Sequence, residues 1–394
     1  MAAALKLSVE AKSEKFLAVM ELGPSCRGAE DGESESIEQI SEKYERAQKW
    51  FGKGCMRTCC GSYQTYFYFT DDLTGRITVS YGYFKDAVKA LDGREVELII
   101  DNGALFLWQG KDYIRVPAIS LSEEQKTEMP DFRLIKEQTL ERYLNGYELC
   151  GLADILKQII GLTDKTLGNF ANADLFYLEN RVHGEFEDLV VAACGQRAIG
   201  LARQNVERLG GLGIMLFPSN VGRKIVSAVK MLNPSGVKLE MDNQTVVFDF
   251  GRFEMRARLF SRDYVNPAVA VPGEVRAVFE FGRAQLLAFA KKSKVADDKI
   301  YFSYERGQLK AASGPFAFQV SGNLENGRRE RPADDSFKFV LRTDVLLDVL
   351  RGAAADRISL MYAGADCPVY LRAGGVHYAL VPAKKDKENG TAAE

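Results

Sequence analysis

Histidine and tryptophan are nearly absent from the sequence, with two residues of each among 394. His183 and His377 lie far apart in the chain, and neither belongs to a motif typical of a catalytic triad or a zinc site. The sequence also lacks a phosphate-binding loop, a G-x-S-x-G elbow and an H-E-x-x-H motif. It therefore predicts a protein that is not an enzyme, with no catalytic residue, no metal site and no cofactor.

Long apolar runs are missing as well. No stretch approaches the ~18 residues that a membrane helix needs. The first residues, Met1 to Glu10, lack the apolar segment of a secretory signal. We therefore expect a cytoplasmic protein with no membrane partner.

The seven cysteines are odd in number, which argues against a disulfide scaffold in a chain of this length. Cys55, Cys59 and Cys60 form a C-x-x-x-C-C cluster with no histidine nearby, so the spacing does not match that of common zinc sites. We interpret them as free thiols. An enzyme that uses this region remains an alternative, and full function after Cys→Ser changes at all three positions would remove it.

One pattern of elements recurs three times along the chain: a short strand, a helix and a meander of alternating apolar segments. In the first copy, Ile77–Val79 predicts the strand and Phe84–Leu91 the helix. The meander begins at Val96 and contains an Asn-Gly turn between alternating apolar residues, which is a strong hairpin signal.

The second and third copies have helices at Arg223–Leu232 and Thr343–Gly352, followed by meanders that begin at Val237 and Ile358. The repeat spacing exceeds 100 residues, which is too long for a solenoid and predicts copies of a whole domain. An earlier helix also recurs, and it is predicted at Ala11–Leu22, Leu152–Leu162 and Arg283–Ser293.

Two helices and two short antiparallel sheets in each copy predict an α+β fold. The polar segment Ser122–Asp131 and the proline-containing segment Asn266–Gly273 are typical of linkers. We therefore expect three domains, at residues 1–122, 123–265 and 266–384. Residues 385–394 are charged and small, and are expected to be a disordered tail.

Four segments carry a family resemblance. Residues 191–198 (VAACGQRA) are similar to a strand and turn that reads V-A-T-D-G-H-R-L, and residues 378–384 (YALVPAK) to a C-terminal Y-x-x-M-P-M-R. Leu216–Leu232 and Phe339–Tyr362 resemble the helix-bearing segments of a second and a third domain. Together they resemble the β subunit of bacterial replicative DNA polymerase, the β sliding clamp family, over roughly residues 77–384.

The resemblance implies three similar clamp domains, each with two helices packed on antiparallel sheets, and two chains that form a six-domain ring. It implies a processivity factor that encircles double-stranded DNA without reading its sequence. A DNA polymerase and a clamp loader would bind through short peptide motifs, in a cleft between the second and third domains. A formal net charge of -2 is compatible with this function, because a closed ring holds DNA topologically.

The resemblance also implies which residues form the peptide cleft, an apolar groove suited to a peptide that bears Leu or Phe. These residues are Leu178, Gly195, Gln196, Arg197, Ala198, Val265, Val269, Val381 and Pro382. The alternative, that Leu178, Val265 and Val381 are ordinary core residues, stays open.

Basic residues recur on the helices of all three copies and predict a surface that meets phosphates, although Lys and Arg also solvate ordinary helix faces. The resemblance adds Phe176 and Tyr177 from a DNA-touching loop, and Arg27 from the corresponding loop of the first domain. The predicted DNA-facing residues are Lys12, Lys15, Arg27, Lys85, Lys89, Lys157, Phe176, Tyr177, Arg223, Lys224, Lys230, Arg283, Lys291, Lys292, Lys294, Arg342 and Arg351.

The sequence departs from the family at the cleft and in the first domain. Cys194 and Gln196 replace an Asp and a His, and Val381 and Ala383 replace two adaptable methionines, which suggests a narrower peptide preference. Residues 24–70 are acidic and helix-like, with a helix predicted at Ile37–Phe51, where the family has a run of strands. The alternative function is therefore a clamp-like accessory protein that binds replication partners without a closed ring on DNA.

Overall fold

The computed structural model describes residues 5–10, 48–52, 55–60, 63–68, 77–91, 95–101, 104–118, 140–163, 174–183, 186–207, 209–210, 212–251, 253–305, 308–321 and 336–383. The chain divides into two compact units. The first comprises Met1–Ala153 and Asn220–Ser261, and the second comprises Asp154–Ser219 and Arg262–Glu394.

The described residues are mostly antiparallel strand, joined by a few helices. The strands are β1 Leu5–Glu10, β2 Gln48–Gly52, β3 Cys55–Cys60, β4 Tyr63–Tyr68, β5 Ile77–Ser80, β6 Glu95–Asp101, β7 Ala104–Gln109, β8 Asp112–Pro117, β9 Leu140–Asn145, β10 Leu175–His183, β11 Phe186–Cys194, β12 Ala198–Val206, β13 Ile214–Pro218, β14 Gly236–Met241, β15 Thr245–Asp249, β16 Phe253–Arg258, β17 Ala277–Gly282, β18 Lys299–Glu305, β19 Gln308–Ser313, β20 Phe316–Ser321, β21 Phe337–Arg342, β22 Arg357–Tyr362, β23 Val369–Ala373 and β24 Val376–Leu380. The α-helices are α1 Tyr81–Ala90, α2 Gly146–Ile159, α3 Ser219–Leu232, α4 Arg283–Ala296 and α5 Thr343–Gly352. Short 3₁₀ turns lie at Ile160–Leu162 and Pro267–Ala270.

The described strands of each unit form one four-stranded and one eight-stranded sheet. In the first unit the orders are β1-β6-β7-β8 and β5-β2-β3-β4-β16-β15-β14-β9. In the second unit they are β20-β19-β18-β21 and β13-β10-β11-β12-β24-β23-β22-β17. Every eight-stranded sheet is thus two four-stranded halves joined at one pair of strands, β4 with β16 and β12 with β24.

Helix formation follows the apolar spacing of the sequence. In α3 the buried apolar side chains are those of Val221, Ile225, Ala228 and Val229, which lie three or four residues apart along one face. The predicted helix at Thr343–Gly352 is confirmed to the residue as α5. Those predicted at Phe84–Leu91 and Arg223–Leu232 are confirmed, and both begin earlier in the chain than predicted.

The earlier helices are confirmed wherever the structure describes them. Leu152–Leu162 lies in α2 and the 3₁₀ turn after it, and Arg283–Ser293 lies in α4. The segment Ala11–Leu22 lies outside the described residues.

The meanders are stabilised by local turn chemistry. Between β14 and β15, one carboxylate oxygen of Asp242 accepts hydrogen bonds from the backbone N–H groups of Gln244 and Thr245, both at 2.7 Å. Such an Asx turn satisfies backbone donors that the ladder leaves open. In β15, which follows, Val246 and Phe248 are buried as predicted, and Val247 on the opposite face is buried as well.

The same order of elements occurs in 140–258 and in 277–380: strand, helix, three strands, strand, helix, three strands. The α+β fold is therefore confirmed. The domain boundaries at 122 and 265 stay a prediction.

The helical interpretation of residues 24–70 is wrong in its second half. Gln48–Gly52 is a strand that pairs with both β3 and β5, and the run of strands continues through β4. Pairing with two neighbours satisfies the backbone of this segment, which outweighs its helical sequence pattern. Cys55, Cys59 and Cys60 lie on β3, and residues 24–47 lie outside the described residues.

Candidate functional site

A hairpin turn in the second unit is held by backbone contacts on two sides. Between β11 and β12, the N–H of Gly195 donates to the carbonyl of Ala198 at 2.8 Å. The carbonyl of Arg197 accepts from the N–H of Val381 at 2.8 Å, just beyond the end of β24. On the other side, a side chain at Gly195 would meet the carbonyl oxygen of Leu162 at 2.1 Å. Only glycine allows this approach.

This turn forms one wall of a pocket of about 300 Å³. The wall contributes residues 195–198, the end of the 3₁₀ turn contributes residues 161–163, and the first turns of α5 contribute Asp344, Val345 and Asp348. All of these residues belong to the second unit.

Charged groups fix the first turn of α5 at the pocket wall. Arg342 donates two hydrogen bonds to the carboxylate of Asp344, at 3.1 and 3.0 Å, and Arg197 lies 4.0 Å from the same group. Burial alone would raise the pKa of Asp344, but these donors and the Val345 N–H hold it below its usual value. Burial raises the pKa of Asp348, although Arg351 lies 3.7 Å away. The pocket lining therefore carries both signs of charge, from Arg197 and from the carboxylates of Asp344 and Asp348.

Exposed valines lie close to the turn. Val265 lies just before the 3₁₀ turn Pro267–Ala270, and Val269 lies within it. At the start of this turn, the Asn266 side chain accepts a hydrogen bond from the Ala268 N–H at 3.0 Å. This 3₁₀ turn packs against β12 and β24, and Val381 directly follows β24. The three side chains are 44%, 46% and 55% exposed. We call Val265, Val269 and Val381 the exposed valines, and their position next to β12 and β24 makes them candidates for an interaction site.

The structure brings most of the predicted cleft residues together. Gly195, Gln196, Arg197 and Ala198 share the turn and line the pocket, and Pro382 follows Val381, which is bonded to that turn. The structure corrects the assignment of Leu178 to the cleft, because Leu178 is 2% exposed in the middle of β10 and belongs to the core.

The α5 residues of the pocket were missed by sequence reasoning. Asp344 and Asp348 stand four residues apart on a helix whose middle is otherwise apolar, so they share one face. That spacing was the available signal. It could not show which other segment the face would meet.

The predicted DNA-facing residues divide by exposure. Lys12, Lys15 and Arg27 lie outside the described residues, as does the side chain of Lys85 on α1. The side chains open to solvent are Lys89, Lys157, Lys230, Lys291, Lys292, Lys294 and Arg351. Three of these, Lys291, Lys292 and Lys294, lie in the last turns of α4 and are called the α4 lysines below.

Several of the predicted DNA-facing side chains are buried or bonded to other residues within the fold. Arg283 is half-buried and donates to the carbonyl of Leu350 at 2.9 Å. Arg342 binds Asp298 as well as Asp344. Burial lowers the pKa of Arg223, and Lys224 is only 7% exposed. Lys224 therefore does not present a free ammonium group to a phosphate, which corrects its assignment.

Phe176 and Tyr177 do not face solvent, which corrects their assignment to a DNA-touching loop. Phe176 is fully buried on β10, with its ring 5.8 Å from that of Phe217. Tyr177 stacks on Tyr264 at 5.3 Å and donates a hydrogen bond to Glu179 at 2.7 Å. Burial, with help from that hydrogen bond, raises the pKa of Tyr177 to about 12. Both rings are core elements of the second unit.

Other chemistry is sparse in the described part of the chain. Burial raises the pKa of Cys194, so its thiol remains protonated near neutral pH. Among the described residues, no three His, Cys, Asp or Glu side chains are grouped so that they could hold a metal ion. No helix in that part of the chain combines the length and apolar character needed to cross a bilayer.

Comparison with solved structures gives matches along nearly the whole chain. The β subunit of DNA polymerase III from Thermotoga maritima superposes with a TM-score of 0.75 at 13% identity, covering 97% of this chain and 99% of that one. The β sliding clamp of Caulobacter crescentus gives 0.71 at 16% identity, covering 97% and 100%. The chain has the sliding-clamp fold.

A third structure with the clamp fold, the Helicobacter pylori β clamp bound to a DNA ligase peptide, has a TM-score of 0.69 at 14% identity and covers 96% of this chain and 100% of that one. No protein-family model and no curated protein matches the sequence. The clamp fold is therefore present in a sequence that is only 13–16% identical to these structures.

Proposed function

We propose that the protein is a DNA sliding clamp: a homodimeric ring that encircles duplex DNA and tethers a replicative polymerase and other partners through a peptide-binding cleft. The observation that carries the proposal is the clamp fold itself, which spans both compact units and nearly the full length of each solved relative. Such a clamp acts in the cytoplasm by topology and contact, and needs neither a cofactor nor a catalytic step.

The sheets support ring closure by a second copy. Each unit completes one eight-stranded sheet and keeps one four-stranded sheet, which has the strand content of half a joined sheet. Edge strands left open are templates for pairing with another chain. Two chains would pair their remaining halves and leave no unjoined half-sheet.

The exposed lysines support a lumen that meets DNA without reading bases. They lie on α1, α2, α3 and α4, so basic groups recur on helices along the described chain. Phosphate contacts of this kind supply sequence-independent, salt-sensitive attraction. A net charge of -2 is sufficient, since the closed ring rather than the affinity would hold the DNA.

The exposed valines and the adjoining pocket support the peptide cleft. An apolar groove with a few fixed polar groups suits a short peptide that inserts a Leu or Phe side chain. The solved Helicobacter pylori clamp is bound to a DNA ligase peptide, which supports peptide binding by a protein of this fold. Partners here would be the polymerase and the clamp loader.

Retention on circular DNA tests the proposal. The protein is diluted to its monomer, mixed with nicked circular duplex and concentrated, so that dimers form around the DNA. After a wash at 1 M salt, where electrostatic attraction is screened to about 3 Å, we expect the protein to stay on the circle and to leave when the circle is linearised. Equal loss from circular and linear DNA, together with binding of short Leu- and Phe-bearing peptides, would favour the accessory protein without a closed ring.

A further inference from the structure

One face of the eight-stranded sheet in the second unit carries three basic side chains on neighbouring strands. His377 on β24 pairs with Arg372 on β23 and with Leu201 on β12. Paired residues point to the same side of a sheet, as do residues two positions apart along a strand, so Arg203 on β12 shares this face. Directly opposite side chains begin about 4.5–5.5 Å apart and diagonal ones about 7–8 Å apart. Arg203, His377 and Arg372 are therefore neighbours, and we call them the basic patch.

The basic patch lies on the face of the sheet that is turned away from the helices of this unit. Gly200 and Tyr378 pair on the opposite face. There, a Cβ at Gly200 would meet the side chains of Leu162 and Ile159 at 2.8 and 3.0 Å, and Ile159 is the last residue of α2. The DNA contacts proposed above lie on helices, so the basic patch is separate from them.

The basic patch presents positive charge to solvent. Arg203 and Arg372 are exposed, and His377 is half-buried. Burial, followed by the charges of Arg372 and Arg203, lowers the pKa of His377, which shows that both guanidinium groups act on the imidazole. The Nδ1 atom of His377 is buried without a hydrogen-bond partner in the described part of the chain. Like charges set beside one another on a sheet are destabilising, and a bound anion would offset that repulsion.

The acidic side chains of the same face lie beyond the basic patch. Glu280 on β17 accepts a hydrogen bond from the Ser359 hydroxyl at 2.6 Å, and Ser359 stands between it and Arg372 in the register. Asp188 on β11 lies diagonally from Arg203. Neither arginine of the basic patch forms an ion pair with another described residue. The patch can therefore receive an anion from a binding partner.

The basic patch is continuous with the candidate cleft along β24. His377, Ala379 and Val381 alternate along this strand and its extension, where the Val381 N–H still bonds to the carbonyl of Arg197, so they share one face. Four residues of extended chain span about 13 Å. The 3₁₀ turn Pro267–Ala270, next to the exposed valines, packs on the same two strands, β12 and β24. A peptide anchored at the exposed valines therefore reaches the basic patch within a few residues.

We propose that the basic patch binds acidic residues of a partner peptide whose Leu or Phe side chain is seated at the exposed valines. This inference rests on the proposed peptide cleft and names the chemistry of its ligand. Guanidinium groups bind carboxylates through paired donors in a fixed geometry, and clusters of arginine recur in proteins that recognise acidic motifs. Arg203 and Arg372 flank His377 on two different strands, so the patch suits a peptide with two or more carboxylates.

Matched peptides test the assignment on the full-length protein. Each fluorescently labelled peptide carries the same Leu-Phe pair. One member has a flank of Asp and Glu on either side of the pair, and the other has Asn and Gln at the same positions. By anisotropy at low salt, we expect the acidic member to bind at least about fivefold more tightly, as two exposed ion pairs allow. At 1 M salt, where charges are screened to about 3 Å, the two members should bind equally.

Paired variants locate the source of this preference. Arg203→Gln combined with Arg372→Gln should abolish the preference and leave the affinity for the uncharged member unchanged. The matched control combines Lys310→Gln with Lys338→Gln. It removes the same charge from exposed lysines of the four-stranded sheet in the same unit, and it should keep the preference. Urea midpoints of both variants are measured to confirm that each is folded.

The outcomes separate the basic patch from the proposed function. Equal binding of both members by the unchanged protein, or a preference that survives in the arginine variant, overturns the patch and keeps the cleft. Failure of both members to bind contradicts the cleft and overturns this inference with it. A weaker salt-dependent affinity for duplex DNA in the arginine variant, with an unchanged peptide preference, assigns the patch to DNA phosphates and overturns the peptide assignment. A chain that shows the preference yet is not retained on circular DNA keeps the patch and contradicts the ring.

Discussion

Replacing Gly195 with alanine should damage the candidate cleft through the backbone alone. The added Cβ would lie 2.1 Å from the carbonyl oxygen of Leu162, where ordinary contacts need about 3.5 Å. Neither Leu162 nor Gly195 can shift easily to relieve this contact. Leu162 ends a 3₁₀ turn with its side chain buried, and Gly195 starts a turn closed by the bond to Ala198.

The expected cost follows from this forced shift. Overpacking that displaces backbone costs about 1–3 kcal/mol, so the urea midpoint of unfolding should fall. The turn would also move away from Leu162 by about 1 Å, carrying Gln196 and Arg197 out of the pocket wall. We therefore expect Gly195→Ala to weaken binding of a Leu- and Phe-bearing peptide at least tenfold under conditions where the protein is still folded.

Gly273→Ala is the matched control in the same unit, since nothing lies within 4 Å of its Cβ position. It should leave peptide affinity unchanged, and alter stability by no more than about 1 kcal/mol, in the stabilising direction. Circular dichroism during urea unfolding and fluorescence anisotropy of a labelled peptide measure both quantities. A Gly195→Ala protein with wild-type midpoint and wild-type affinity would refute the steric reasoning.

Three further predictions concern peptide binding, DNA binding and pH. Val381→Asp should reduce peptide affinity, measured by anisotropy, at least tenfold while stability changes by less than about 0.5 kcal/mol. The control Val295→Asp changes an 87% exposed valine of α4 and should leave peptide affinity unchanged. Equal peptide affinity of the two variants would contradict the placement of the cleft at Val381. Changing the α4 lysines to alanine should lower the slope of log DNA affinity against log salt concentration by about 0.9 for each phosphate that is no longer neutralised. The control Lys310→Ala, at an exposed lysine of β19, should leave the slope unchanged. An unchanged slope in the α4 variant would show that α4 does not face DNA. Burial, followed by the charges of Arg372 and Arg203, lowers the pKa of His377 in the folded protein. As the pH drops below about 6.5, the unfolded chain therefore binds a proton at His377 more readily than the folded chain, and stability should fall. His377→Gln should remove part of this fall in urea midpoints measured between pH 7.5 and 5.5, and an identical fall in the variant would contradict the prediction.

Local patterns in the sequence predict the elements whose stability is local. α5 is predictable to the residue because Leu346 and Leu350 repeat at helical spacing and Gly352 marks its end. The meanders are predictable because apolar residues alternate around turn residues such as Asp242. These signals lie within a window of about ten residues.

Elements that depend on distant partners are not predictable in the same way. Gln48–Gly52 has a helix-like neighbourhood and becomes a strand through pairing with β3 and β5. The pocket joins the turn at Gly195 to Asp344, and no local signal connects segments so far apart in the chain. Phe176 and Tyr177 are assigned to DNA by resemblance alone, although large aromatic side chains in a strand are more often core, as they are here.

The roles of the turn residues explain which part of the family motif this sequence keeps. The turn keeps the Gly and Arg of D-G-H-R as Gly195 and Arg197. Gly195 has no room for a Cβ, and Arg197 lies 4.0 Å from Asp344, so each is constrained by its immediate neighbour within the fold. The family's His and Leu are replaced by Gln196, which is exposed, and by Ala198, which is buried at the pocket wall. Apart from Cys194, the differences from that motif thus fall at Gln196 and Ala198, which line the pocket and set its shape and chemistry, while Gly195 and Arg197 hold the turn in place.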